Sequence, residues 1–374
     1  MAAAENENPL ASLNLGGLTK LAEQTKENRV QRAEEGASFE PISLESVRAV
    51  EANAAAPEKA AGPVELTLGP LTDFPGKWEG SGFNLIEIPN RNQDPNVQPP
   101  PADKFKLVLN NTFEKLTITA IPGGIINRGN VQGDIEYLSL HYLQQVDDVN
   151  VPVGTTGRGI HLETGLFLNL PAGTDPAVQP SVARLGSIPH GDSLLAQGTF
   201  TPTPVQNQGP DFDFNRADPT PFTVVDGKRV NITSDDYLSL LKDPAEVPNG
   251  IPKAAVMNPT LILEEALKDL KVLDMTVVFL DANPIEGVSN SNALANAGGI
   301  TNIPFVTKNA NATTFSAIFW LMTVQKPDNT TTKLLQYTQT VVLDFPVFGS
   351  NPGTVVDVKW PHISVATLEL QPAN

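Results

Sequence analysis

Four histidines and no cysteine bound the chemistry open to this 374-residue chain. Without thiols there are no disulfides, thiolate nucleophiles, Cys-ligated zinc, iron–sulfur clusters or thiolate-bound haem. A metal would need His, carboxylates or Tyr, so each His can be weighed separately. His141 alternates with Ser139, Leu143 and Gln145 and reads as a strand residue hydrogen-bonded to its neighbours. His190, in Ser187-Ile-Pro-His-Gly-Asp192, falls in a break between strands and has two readings: a residue at a cavity mouth, or a plain turn residue beside Gly191. His161 lies in Gly159-Ile-His-Leu-Glu-Thr-Gly165 and His362 in Lys359-Trp-Pro-His-Ile-Ser-Val-Ala-Thr-Leu368. His362 shares its side of a strand with Trp360, Ser364, Ala366 and Leu368, and Ile363 and Val365 face the other way. Both sides are apolar, so alternation does not choose which one faces a lumen. Taken singly, His161 and His362 read as structural. Asp147-Asp148 and Asp211-Phe-Asp213 lack a calcium-loop spacing and read as solvated turn carboxylates. No phosphate-binding glycine loop, His-Glu-x-x-His or Gly-x-Ser-x-Gly occurs.

The elements that must position these residues are strands. Lys104–Leu109 and Phe113–Thr119 roughly alternate with period two, and Asn110-Asn111 between them reads as a tight hairpin turn, since Asn tolerates positive φ. Further strands are expected over 135–146, 161–170, 181–187, 193–201, 272–281, 314–325, 333–345 and 360–370. Thirty-three Pro and 28 Gly punctuate them, as in a sandwich or barrel. Two short helices are expected. Asn258 would cap one, with Pro259 as its first residue and Leu263, Ala266, Leu267 and Leu270 on one face; the other spans Ser234–Leu241. Both fall in or beside a Pro- and Asp-rich stretch at about 202–258, which reads as an insertion over one barrel mouth.

Residues 1–62 hold one aromatic, Phe39, and close in Ala- and Pro-rich linker. They read as a flexible tail before a barrel domain at 63–374. Leu10, Leu13, Leu18 and Leu21 could line a short helix, making residues 8–30 either a docking peptide for a protein partner or a loose terminus. A formal charge of −17, from 25 Lys and Arg against 42 Asp and Glu, opposes binding to nucleic acid and to anionic membrane surfaces. No apolar run is long enough to span a bilayer, and the N-terminus lacks secretory-signal features, so a cytoplasmic location is expected.

Three ordered motifs together resemble nitrobindin, the haem-binding β-barrel family. Phe74-Pro-Gly-Lys-Trp-Glu-Gly-Ser-Gly82 is similar to the family's opening Gly-x-Trp-x-Gly-x-Gly strand. His161-Leu-Glu-Thr-Gly165 resembles its His-x-Glu-Ser/Thr-Gly segment, and Pro361-His-Ile-Ser-Val-Ala-Thr-Leu368 its ligand-bearing C-terminal strand. The likeness covers about 70–202 and 314–370. This chain is longer than a nitrobindin. Its Asn127-Arg-Gly129, Tyr142-Leu-Gln-Gln-Val146 and Ile188-Pro-His-Gly191 resemble instead a larger bacterial group named as haem-binding by homology.

The resemblance implies an all-β fold: a single large lipocalin-like or nitrobindin-like antiparallel barrel with few short helices. It implies haem b with iron bound by His362, His161 on the distal side, His190 in a nearby loop, and Gly76, Trp78, Gly80 and Gly82 along the opening strand by the pocket. Trp360, beside His362 in the alternation, joins this cofactor-binding set. The activity implied is binding of NO or another small ligand, isomerisation of peroxynitrite, or weak peroxidase turnover. Two other readings stay open: a metal-free carrier of an apolar small molecule, and a scaffold docked through its tail. The partners expected are a small apolar or diatomic ligand, a second copy in a homodimer, and a protein for residues 8–30.

Overall fold

The computed structural model describes residues 67–372, apart from 90–104, 131–132, 175–176, 202–204, 207–213, 215–216, 291–293, 295–296, 309 and 349–354. The tail and its docking segment lie outside the described residues.

The fold is all-β, a closed antiparallel barrel with few short helices. Its ten wall strands follow one another in chain order: β1 (Gly76–Pro89), β2 (Phe105–Ala120), β3 (Ser139–Asp148), β4 (Gly159–Leu170), β5 (Ser181–Ile188), β6 (Asp192–Gly198), β7 (Lys271–Ala282), β8 (Asn311–Gln325), β9 (Thr331–Phe348) and β10 (Val355–Leu370). Each pairs with its predecessor, and β10 returns to β1 from Trp78↔Leu370 to Ile86↔His362. Closure leaves no free sheet edge between first and last strands. At that seam the chains approach closely: a Cβ on Gly80 or Gly82 would collide with the backbone carbonyl of Thr367 or Val365. Those glycines serve strand packing.

Alternation sorts each strand into an inner and an outer row. The inner row builds a core of Trp78, Leu116, Tyr142, Phe167, Phe315, Phe319, Tyr337 and Leu368. The outer row is apolar over much of the wall, where Phe83, Leu85, Ile318, Trp320, Ile363 and Val365 form a second core. Its cover comes from the insertion and the helix just after it: α1 (Asp235–Lys242), α2 (Ala254–Met257) and α3 (Leu261–Leu267) contribute Leu238, Leu241, Val256, Leu263 and Leu267. Full burial of a side chain such as Leu241 or Leu263 is worth roughly 1.5–3 kcal/mol. These helices therefore clad the barrel's outside, where the sequence suggested a cover over its mouth. Of the expected α3 face, Ala266 is exposed, because the helix is only seven residues long and seats Leu263 and Leu267.

The expected hairpin at Asn110-Asn111 does not form. β2 runs straight through both residues, which pair with Asn84 and Phe83 of β1. Pairing with β1, and a backbone bond from Val149 N to the Asn111 carbonyl on the other side, outweigh the local turn preference of Asn.

Candidate functional site

A cavity of about 310 Å³ opens within the inner row, at the low end of the roughly 300–1,000 Å³ usual for ligand sites. Ile86, Val146, Ile160, Ile188, Leu194 and Val341 give it apolar walls. His161 from β4, His190 from the β5–β6 turn and His362 from β10 all line it. The sequence-predicted histidines thus converge. The rings of His161 and His190 lie 5.7 Å apart at 48°.

The other expected site residues do not line this cavity. Trp78 is fully buried near the opposite end of β1, with its Nε1 donating to the Phe74 carbonyl at 2.9 Å. Eight residues separate it from Ile86, about 27 Å of extended strand. Gly76 adjoins Trp78, and Gly80 and Gly82 lie along the seam. Trp360 has the strand parity of His362 but sits past the last β1–β10 pair. There it packs at the rim against Phe105 and Tyr237, with ring centroids 6.0 and 5.9 Å away. Alternation fails for Trp360 because the closing wall has ended. His141 faces outward, within 3.0 Å of the Thr164 hydroxyl.

A buried polar network underlies one side of the cavity. The two-residue spacing of His161 and Glu163 puts both on the inner row, and His161 Nε2 lies 3.3 Å from Glu163 Oε2. Glu163 is 1% exposed and pairs with Arg184 of β5 at 3.0 Å. Arg184 also donates to Tyr142 Oη (3.1 Å), Gln144 Oε1 (3.1 Å) and Gln339 Oε1 (3.0 Å). The rings of Tyr142, Phe167, Phe315 and Phe319 surround its guanidinium at 5.2–5.8 Å. Tyr142 donates to Glu163. Burial alone would raise Glu163's pKa, but Arg184, His161 and Tyr142 outweigh it and hold the carboxyl well below the usual range. Glu114 takes bonds from Tyr337 Oη (2.6 Å) and Gln144 Nε2 (2.9 Å); there burial wins, and its pKa is raised. One guanidinium thus serves one ionised carboxylate, and the second carboxyl is pushed towards its neutral form.

Burial lowers the pKa of His362 to about 4, helped by His161 and His190. That of His190 is lowered by burial and by His161, against the opposing pull of Asp192 and a bond to the Ile160 backbone. The pocket therefore favours neutral imidazoles at His190 and His362.

His362 is also tied down. Its Nε2 lies 2.6 Å from Asn84 Oδ1, which accepts from Ser364 Oγ at 2.9 Å. Asn84 Nδ2 donates to Asn110 Oδ1 (3.1 Å), and Asn110 Nδ2 donates to Asp148 Oδ2 (2.8 Å). Sequence reasoning took Asn110 for a turn residue and Asp148 for a solvated carboxylate. Their meeting depends on the β1–β2–β3 register.

Among the described residues no group of three or more His, Asp or Glu is placed to hold a metal ion, and no helix is long and apolar enough to cross a membrane. No protein-family model matches the chain, and no curated protein does. Among solved structures, the crystal structure of Rv2717c from M. tuberculosis is similar at 12% identity and a TM-score of 0.32, covering 82% of this chain and all of that one.

Proposed function

We propose that this barrel binds haem b, with His362 as the axial ligand and His161 and His190 as the polar part of the pocket wall. The observation that supports it is the convergence of these three histidines, from separate strands and a turn, on one otherwise largely apolar cavity. The residues fit the group in kind: an imidazole on the wall can donate a lone pair to iron, and aliphatic walls suit a macrocycle. One condition attaches, because Nε2 of His362 is engaged by Asn84. When bound, haem supplies an iron able to take a small ligand such as NO. The protein's own part is to seat the macrocycle, keep water away and hold His161 against Glu163. The membership in the nitrobindin family and the peroxynitrite chemistry that the sequence motifs imply belong to this proposal too.

Haem added to purified protein is expected to give a shifted Soret band that His362→Ala abolishes while far-UV circular dichroism stays native. An unchanged band in that variant removes His362 as the ligand.

The hydrogen bond between His362 Nε2 and Asn84 Oδ1 favours a second reading, a metal-free carrier of an apolar small molecule. It predicts an apolar molecule in mass spectra of the purified protein, retained when His362 is replaced.

A further inference from the structure

We infer that Asp148, acting through Asn110 and Asn84, fixes His362 as the tautomer protonated on Nε2, which leaves Nδ1 as the nitrogen offered to a ligand. The inference rests on the proposed use of this cavity and adds which imidazole nitrogen is available there.

The direction follows from donor and acceptor chemistry. An ionised aspartate only accepts, so the group of Asn110 facing Asp148 must be its NH₂. That turns Asn110 Oδ1 towards Asn84, so Asn84 presents its own NH₂ to it. Asn84 Oδ1 is left facing His362 Nε2 and Ser364 Oγ. Two donors then converge on one amide oxygen, and Nε2 must carry a hydrogen. Reversing Asn110 alone would set like groups against each other at both its ends, and reversing Asn84 alone would set its oxygen against Asn110 Oδ1. The anchor is itself fixed: Asp148 is 8% exposed, and its Oδ1 accepts from the Asn150 backbone N–H at 2.9 Å. Among the described residues no hydrogen-bond partner reaches His362 Nδ1. Asn84 is therefore a positioning residue, and an electron-pair acceptor such as haem iron must either approach Nδ1 or displace the amide from Nε2.

The test is long-range ¹H–¹⁵N correlation of the imidazoles in ligand-free protein at neutral pH, with the His362 signals assigned by their loss in His362→Gln. A pyrrole-type Nε2 and a pyridine-type Nδ1 are expected. Asp148→Asn, which lets the amide relay reverse, and Asn84→Ala, which removes the acceptor, should each give comparable populations of both tautomers. A pyridine-type Nε2 in the native protein, or an unaltered tautomer in both variants, overturns the inference. Haem titration supplies a separate arm: Asp148→Asn should bind about twofold more weakly, because Nδ1 keeps its free lone pair in only about half of the molecules. A shifted tautomer with tighter or unchanged haem binding overturns the assignment of Nδ1 as the nitrogen offered to a ligand. Absence of any haem binding in native protein defeats the haem reading and leaves the tautomer result standing.

Discussion

Replacing Arg184 with Met should destabilise the protein by about 3–5 kcal/mol, the usual cost of removing one partner from a buried ion pair. Arg184 is 2% exposed and Glu163 1%, so solvent cannot take over when the guanidinium goes. Glu163 would remain as a buried carboxylate, and Tyr142, Gln144 and Gln339 would each lose a donor. Its ionised form would lose its main support, and the bond from His161 would weaken with it. Adding Glu163→Gln removes the stranded charge, so the double variant should recover a large part of the loss. Urea unfolding checks both, with the slope unchanged so that midpoints compare directly. A single-variant loss below about 1 kcal/mol, or a double variant no better than the single, would show that the pair is not the keystone of this network.

The barrel was legible because strand alternation is a local property. The strands expected over 161–170, 181–187 and 272–281 appear within a residue or two of those bounds at either end. Which side of each strand faces inward was not legible. Ile363 and Val365 are as apolar as Ala366 and Leu368 because insertion helices cover the outer row, and that cover is a tertiary fact. The convergence of His161, His190 and His362 was reached through motif resemblance, since nothing local links residues two hundred positions apart. The network around them carried one unused signal. Arg184 stands within Val182-Ala-Arg-Leu185, a charge in an apolar run on an expected strand, and its parity with Val182 marks it as inward-facing. Asn84, Asn110 and Asp148 offered no such sign: each is an ordinary surface residue type, and only barrel register makes them neighbours.

Glu87 leads to the second large effect. It lies on the outer row of β1, fully buried, and neither carboxyl oxygen has a hydrogen-bond partner. Burial, with a smaller contribution from Asp218, pushes its pKa from an ordinary 4.5 up to about 9. Asp218 is itself committed to Arg229 at 3.1 Å. The folded protein therefore keeps the Glu87 proton up to about pH 9, while the unfolded chain releases it near 4.5. Between those values the native state holds more protons, so stability falls as pH rises and levels off above 9. At 1.36 kcal/mol per pH unit, the 2.5 units from 4.5 to 7 correspond to about 3 kcal/mol. Glu87→Gln replaces the neutral acid with a neutral amide of the same shape. It should match the native protein near pH 4.5 and exceed it by about 3 kcal/mol at pH 7, with the gap still widening at pH 8. Urea midpoints for both proteins across pH 5 to 8.5 decide the matter. Parallel curves would mean that water or a nearby cation reaches the Glu87 carboxylate, and that its burial does not control the alkaline side of the stability profile.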